Sequence, residues 1–131
     1  MRSVYDMKDI MNYTKGCADT YPLHGVYLFK NMGTNSAIIV CDHDFEQIMD
    51  ALDPDPNGWN GLALEYHCYE TWKEKEYHIS DLPLAVEQII AGAKKCPKEA
   101  GLESIKTLIH FLSLAVEMKN SVSISYDWGE I

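Results

Sequence analysis

The chain has 131 residues, 47% of them apolar, and its 20 acidic against 11 basic side chains give a formal charge of −9 at pH 7. This length and apolar content predict a single globular domain over residues 1–131. The negative charge argues against direct binding to nucleic acid or to an anionic membrane, and no apolar run approaches the roughly eighteen residues needed to span a bilayer.

The four cysteines are widely spaced and contain no Cys-x-x-Cys pair; they are Cys17, Cys41, Cys68 and Cys96. The chain opens on Met-Arg-Ser-Val-Tyr-Asp rather than on an apolar signal segment. These features predict reduced and mostly buried thiols in a soluble, cytoplasmic protein.

The first predicted element is a short helix over residues 3–13, with Ser3 as its N-cap and apolar residues at helical spacing. Residues 24–32 and 36–42 are rich in β-branched, aromatic and aliphatic side chains, which is typical of strands. The Gly-Thr-Asn sequence at 33–35 has turn chemistry. We therefore expect a β-hairpin over residues 24–42.

A short acidic helix is predicted next, with Asp44 as its cap and an apolar stripe from Phe45 to Leu52. The Asp-Pro-Asp-Pro-Asn-Gly sequence at 53–58 ends that helix, because each proline disfavours helical backbone at the residue before it. Asn-Gly also tolerates a tight turn. An exposed loop is expected here.

Residues 62–69 alternate between two side-chain sets, which is the period of a half-buried strand. In that strand Glu65, His67 and Tyr69 would share one face. A returning strand over residues 75–79, after a turn at 72–74, would bring His78 close to them. The sequence thus predicts a second hairpin with a polar cluster.

A helix from about residue 82 is indicated by its apolar stripe, by Ser80 or Asp81 as cap and by Pro83 in the first turn. A very apolar helix over residues 97–118 and a strand over residues 122–128 complete the chain. The order α, β, β, α, β, β, α, α, β predicts an α+β fold: a two-layer sandwich with a mainly antiparallel sheet of about five strands and helices on one side.

The charge distribution is the most informative feature for function. Between Asn31 and Trp72 there is no Lys or Arg, yet this stretch holds eight carboxylates: Asp42, Asp44, Glu46, Asp50, Asp53, Asp55, Glu65 and Glu70. The remaining acids and bases nearly balance. A region of one sign steers cations and basic protein surfaces toward it.

Enzyme and cofactor signatures do not stand out. The nucleophile-elbow, zinc-protease, P-loop and dinucleotide motifs are missing, so no catalytic residue, metal or cofactor is predicted. An alternative that stays open is a small metal-binding protein or enzyme that uses His43, Glu65 and His67. A homodimer joined through the apolar helix at 97–118 is a third interpretation.

The charge pattern favours a protein without chemistry of its own that binds a basic partner. The most specific hypothesis is an immunity protein that masks a basic, nuclease-type bacterial toxin. A phage-encoded acidic inhibitor of a host nucleic-acid-binding defence protein is the related alternative. The expected contact residues are Asp50, Asp53, Asp55 and Trp59, with supporting charge from Asp44, Glu46 and Glu65.

Overall fold

A computed structural model of the chain describes residues 25–96 and 102–128, so the predicted helix over residues 3–13 lies outside the described residues. The elements in chain order are the strands β1 (Gly25–Asn31) and β2 (Ala37–Cys41), the helices α1 (Asp42–Asp50) and α2 (Gly61–Leu64), a π-helical turn (Glu65–Tyr69), a 3₁₀ turn (Thr71–Lys73), strand β3 (Tyr77–His78), helices α3 (Leu82–Lys95) and α4 (Leu102–Met118), and strand β4 (Val122–Trp128).

The sheet is antiparallel throughout, with the strand order β2-β1-β4-β3. This confirms the predicted α+β fold with an antiparallel sheet. In the described ranges the sheet has four strands rather than about five. The difference arises at residues 62–69, which are helical.

One hydrophobic core joins the sheet to the helices. Its fully buried side chains come from β1, β2 and β4 of the sheet, from all four helices and from the 3₁₀ turn, and include Phe29, Phe45, Ile89, Leu108 and Ile124. The alternate residues Val26 and Ile39 form a separate buried cluster together with Leu28. Successive side chains of β1 therefore point to opposite faces of the sheet, and both faces are packed against other apolar side chains.

The first hairpin is confirmed. Tyr27 pairs with Val40 and Phe29 with Ile38 in antiparallel register. The side-chain oxygen of Asn31 accepts hydrogen bonds from the backbone N–H groups of Gly33 (2.9 Å) and Thr34 (3.2 Å), which fixes the turn between the strands.

Helix α1 begins earlier than the sequence predicts. It starts at Asp42 directly after β2, and the side chain of its N-cap residue, Cys41, makes no capping hydrogen bond. Asp44 therefore lies inside the first turn and is buried, rather than acting as the cap. Carboxylates in this position still interact favourably with the helix dipole.

The predicted strand over residues 62–69 is wrong. The segment forms α2 and the π-helical turn, and Glu70 then reverses the chain in a left-handed conformation (φ 50°). The buried side chains of this segment are Leu62, Ala63 and Glu65, and this spacing places them on one side of a helix rather than on one face of a strand. The polar strand face with Glu65, His67 and Tyr69 does not exist.

The later elements follow the sequence more closely. Asp81 caps α3 by accepting a hydrogen bond from the N–H of Leu84 (3.1 Å), and Pro83 lies in the first turn, as predicted. Strand β3 covers Tyr77–His78, a shorter stretch than residues 75–79. Helix α4 is described from Leu102, and β4 occupies the predicted residues.

The cysteines differ from the expectation. Cys41 is disulfide-bonded, so the prediction that all thiols are reduced is wrong. Cys68 is free and exposed, and Cys96 is free and half-buried. Separately, none of the described helices has both the length and the apolar character to cross a membrane.

Helices α1 and α3 are in close contact at Gly92. A Cβ atom at this position would lie 2.4 Å from the backbone oxygen of Ile48 and 2.4 Å from its Cγ2. We expect Gly92→Ala to lower the free energy of unfolding by at least about 1 kcal/mol, because the backbone of α1 must shift and the gain of about 1 kcal/mol in helix propensity does not offset that shift. Urea unfolding measures the change.

The matched control is Glu87→Ala on the exposed side of the same helix, which should change the free energy of unfolding by no more than about 0.5 kcal/mol. Equal stability of Gly92→Ala and the wild-type protein would contradict the close packing of α1 against α3.

Candidate functional site

A row of three carboxylates runs along α1 at positions i, i+4 and i+8: Asp42, Glu46 and Asp50. Each accepts a hydrogen bond from a tyrosine hydroxyl that belongs to a different element. The donors are Tyr126 of β4 to Asp42 (2.9 Å), Tyr27 of β1 to Glu46 (2.8 Å) and Tyr66 of the π-helical turn to Asp50 (2.9 Å). We refer to these six residues as the tyrosine–carboxylate row.

The three tyrosines of the row and Glu46 all have a raised pKa. Burial, followed by the charge of Glu46, raises the pKa of Tyr27 well above its usual value of 10.0. Burial and the carboxylate partner also raise the pKa of Tyr66 and of Tyr126. Burial raises the pKa of Glu46, although the hydrogen bond from Tyr27 acts in the opposite sense. Some of the acidic side chains of the base-free stretch between Asn31 and Trp72 are therefore engaged in hydrogen bonds within the fold.

Asp42 is the most buried carboxylate of the row, with only 5% of its surface exposed. Its Oδ2 also accepts a hydrogen bond from the backbone N–H of Gly25 (2.8 Å) in addition to the bond from Tyr126. A buried carboxylate with two donors ties the start of α1 to β1 and β4.

Two of the predicted supporting residues are also buried. Asp44 is 8% exposed, and burial raises its pKa against the opposing effect of His43. Glu65 is 9% exposed, and its Oε1 accepts the backbone N–H of Thr71 (3.0 Å). A partner would reach these carboxylates less readily than those in the following loop.

Asp50, Asp53 and Asp55 are the exposed carboxylates of the predicted set. They lie at the end of α1 and in the loop before α2, whose tight turn is closed by two backbone hydrogen bonds between Asp55 and Gly58 (3.0 and 2.8 Å). Gly58 has φ +106°, which favours glycine. We call these three aspartates together with Trp59 the acidic edge.

Trp59 is half-buried rather than fully exposed. Its ring stacks on the imidazole of His67, with 3.8 Å between ring centroids and an angle of 16° between planes. The Nε2 atom of His67 lies 3.2 Å from the backbone oxygen of Met49. Trp59 is thus held in one orientation beside the three aspartates.

Two lysines from outside the base-free stretch pair with its carboxylates. The Nζ atom of Lys95 in α3 lies 3.0 Å from Oδ2 of Asp53. Lys73 pairs with Glu70 (3.2 Å) and lies over the ring of Tyr126, 5.2 Å from its centroid. In three dimensions, the negative charge of the base-free stretch is therefore partly balanced by these lysines.

A cavity of about 280 Å³ opens beside the acidic edge. The loop and α2 contribute Leu52, Asp53, Asp55, Trp59, Asn60 and Ala63, and α3 contributes Leu84, Glu87, Gln88, Ala91 and Lys95. Sequence reasoning missed the α3 contribution. The sequence pattern that could have indicated it is the helical spacing of apolar and polar residues along one side of α3: Leu84, Glu87, Gln88, Ala91 and Lys95.

The residues of the metal-binding alternative do not come together. His43 is exposed, with Nε2 at 4.0 Å from Oδ1 of Asp42, whereas Glu65 binds the backbone of Thr71 and His67 stacks on Trp59. Within residues 25–96 and 102–128, no group of three or more His, Cys, Asp or Glu side chains is arranged to hold a metal ion.

Comparison with known proteins adds no relative: no family model, no curated protein and no solved structure matches this chain. The acidic edge and the cavity beside it are therefore the features of the molecule that bear on its function.

Proposed function

We propose that this protein binds a basic protein through the acidic edge and that it is an immunity protein, which neutralises a nuclease-type bacterial toxin by covering its active surface. The observation that carries the proposal is the exposure of Asp50, Asp53 and Asp55 next to an aromatic ring that the fold already holds in place. No catalytic step is required of the chain.

The proposal rests on complementary charge. A nuclease must be positively charged where it holds phosphate, because Lys and Arg dominate phosphate affinity. A compact surface of the opposite sign can occupy that groove and is steered to it, which raises the association rate at low salt. The overall charge of −9 adds to this steering.

The acidic edge also has features that a merely solvated acidic face lacks. Tryptophan is enriched among the residues that dominate binding energy at interfaces. Because Trp59 is already stacked on His67, it loses little side-chain freedom on binding. The turn between Asp55 and Gly58 likewise fixes the backbone of the loop.

The direct test is an affinity capture from the native host with the tagged protein as bait, at low and at moderate salt. We expect a stoichiometric basic protein that is released as the salt concentration rises, since salt screens exposed charges. Mass spectrometry then identifies it as a toxin or as a host defence protein, and the latter would favour defence evasion over immunity. An unrelated protein of similar charge serves as control bait.

Capture of no basic protein, or of the same proteins by the control bait, would contradict the proposal. A protein that instead retains a stoichiometric metal ion after purification without chelator would favour the metal-binding alternative.

A further inference from the structure

The cavity beside the acidic edge combines apolar and charged lining. Its apolar part comes from both sides of the cavity and consists of Leu52, Ala63, Leu84 and Ala91, with Trp59 as the aromatic component. Its carboxylates are Asp53, Asp55 and Glu87. Lys95 is the cation of the lining, so three negative groups face one positive group.

A hydrogen-bond network fixes the walls relative to each other. The amide nitrogen of Gln88 in α3 donates to the backbone oxygen (2.9 Å) and the side-chain oxygen (3.0 Å) of Asn60, and its amide oxygen accepts the N–H of Ala63 (3.0 Å). Asn60 in turn donates to Oδ2 of Asp55 (3.0 Å). The cavity is therefore formed before a ligand arrives, which reduces the entropic cost of binding.

The approach of α2 to α3 maintains this shape. Gly61 has φ +58°, and a Cβ atom there would lie 2.6 Å from Cδ2 of Leu84. The left-handed backbone favours glycine at this position, and the Leu84 side chain packs into the space that a Cβ atom would take.

The ion pair between Lys95 and Asp53 does not close the site. The two side chains are 49% and 82% exposed, so water and salt screen their attraction. An incoming cation can therefore bind Asp53 beside Lys95, or in its place, at little cost in free energy.

We propose that this cavity receives an arginine side chain of the basic partner. The inference rests on the proposed function, because it specifies the residue that the partner contributes. A guanidinium group is planar, carries five N–H donors in a fork that matches carboxylates, and stacks on aromatic rings. The charge of the cavity, its Trp59 ring and its apolar lining together fit the head and the aliphatic stem of arginine.

The cavity is large enough for a single long side chain. At about 280 Å³ it is just below the roughly 300–1,000 Å³ typical of pockets for drug-sized ligands. A lysine side chain carries a compact and strongly hydrated charge that neither stacks nor binds in a bidentate way, so the cavity should prefer arginine.

The test is an NMR titration of the ¹⁵N-labelled 131-residue chain with N-acetyl-arginine methylamide. We expect saturable shifts of the Trp59 indole N–H and of the Gln88 side-chain amide, with a dissociation constant on the order of a millimolar. The citrulline analogue, which has nearly the same shape without the charge, and the lysine analogue should each bind about tenfold more weakly. The Glu87→Gln variant should weaken arginine binding severalfold.

Non-saturable shifts, or equal shifts with the citrulline analogue, would overturn the proposal. A second variant, Ala91→Leu, fills the cavity; we expect it to lose the arginine response and to bind the captured partner about tenfold more weakly, with thermal unfolding confirming that it is folded. Undiminished partner binding by Ala91→Leu would refute this inference while the proposed function stands. Failure of the proposed function looks different, because no basic protein is then captured although the arginine analogue still saturates the cavity.

Discussion

Replacing Asp50, Asp53 and Asp55 together by lysine is expected to slow association with the basic partner roughly 100-fold at low salt, because the acidic edge then repels the surface it should attract. All three side chains are exposed, and the bonds that they lose, among them those from Tyr66 to Asp50 and from Lys95 to Asp53, lie at the surface, so the fold should persist. The salt dependence of the association rate should become flat or inverted. Surface plasmon resonance at several salt concentrations measures both effects.

The matched control replaces three exposed acids elsewhere, Glu74, Glu103 and Glu117, by lysine. It changes the net charge by the same amount and leaves the acidic edge intact. We expect a much smaller loss of association rate, since steering depends on where the charge lies as well as on its sum. Similar losses in the two triple variants would show that only net charge matters, and an unaffected acidic-edge variant would place the interface on another face.

The second large effect is expected at alkaline pH. The folded state raises the pKa of Tyr27, Tyr66 and Tyr126, so it holds their protons more tightly than the unfolded chain does. Their contribution to stability is therefore complete below the usual tyrosine pKa of 10.0 and is lost as the pH rises above it. The fully buried Tyr27 alone should lower the free energy of unfolding by about 1.4 kcal/mol per pH unit above that value.

Urea unfolding between about pH 8 and about pH 11 measures this slope. The Tyr27→Phe variant is the control: it should show a flatter decline above pH 10, and at neutral pH it should be less stable by about 1–2 kcal/mol, because Glu46 loses its donor. Absorbance at the tyrosinate band should rise for the buried residue only together with unfolding. Ionisation of Tyr27 in the folded protein near pH 10 would contradict the prediction.

Local sequence patterns were sufficient to predict the elements for which the neighbouring signals agree. The hairpin of β1 and β2 follows from two β-rich runs around a short turn, and α3 follows from the Asp81 cap, Pro83 and an apolar stripe. The loop at 53–58 follows from its prolines. In each case backbone sterics or local hydrogen bonds decide the conformation, so distant contacts are not needed to predict it.

Residues 61–69 show where this reasoning fails. Alternation of Leu62 and Leu64 with more polar neighbours resembles a strand, but over so short a run a helical spacing of buried residues fits as well. The burial of Leu62, Ala63 and Glu65 together with the contact of Gly61 with Leu84 selects the helix. Packing against α3 is a tertiary effect that the local pattern does not contain.

The negative charge of the candidate site was predictable from the sequence. Which carboxylates are hydrogen-bonded within the fold and which are exposed was not. Asp42, Glu46 and Asp50 have the spacing of one helix face, yet nothing in the sequence indicates that three tyrosines from separate elements would reach them. The cavity was likewise hidden, because it forms only where α3 meets the loop that precedes α2.

The position of β4 in the sheet has a consequence for synthesis on the ribosome. β4 lies between β1 and β3, and its pairing with β1 joins Gly25 to Trp128, about a hundred residues apart. The hairpin of β1 and β2 therefore emerges with the outer edge of β1 unpaired. This edge must wait, at roughly 5–20 residues per second, until residues 122–128 have been translated. During that interval the bare edge of β1 is open to pairing with other chains, so a nascent chain of this protein should depend on chaperones more than its small size suggests.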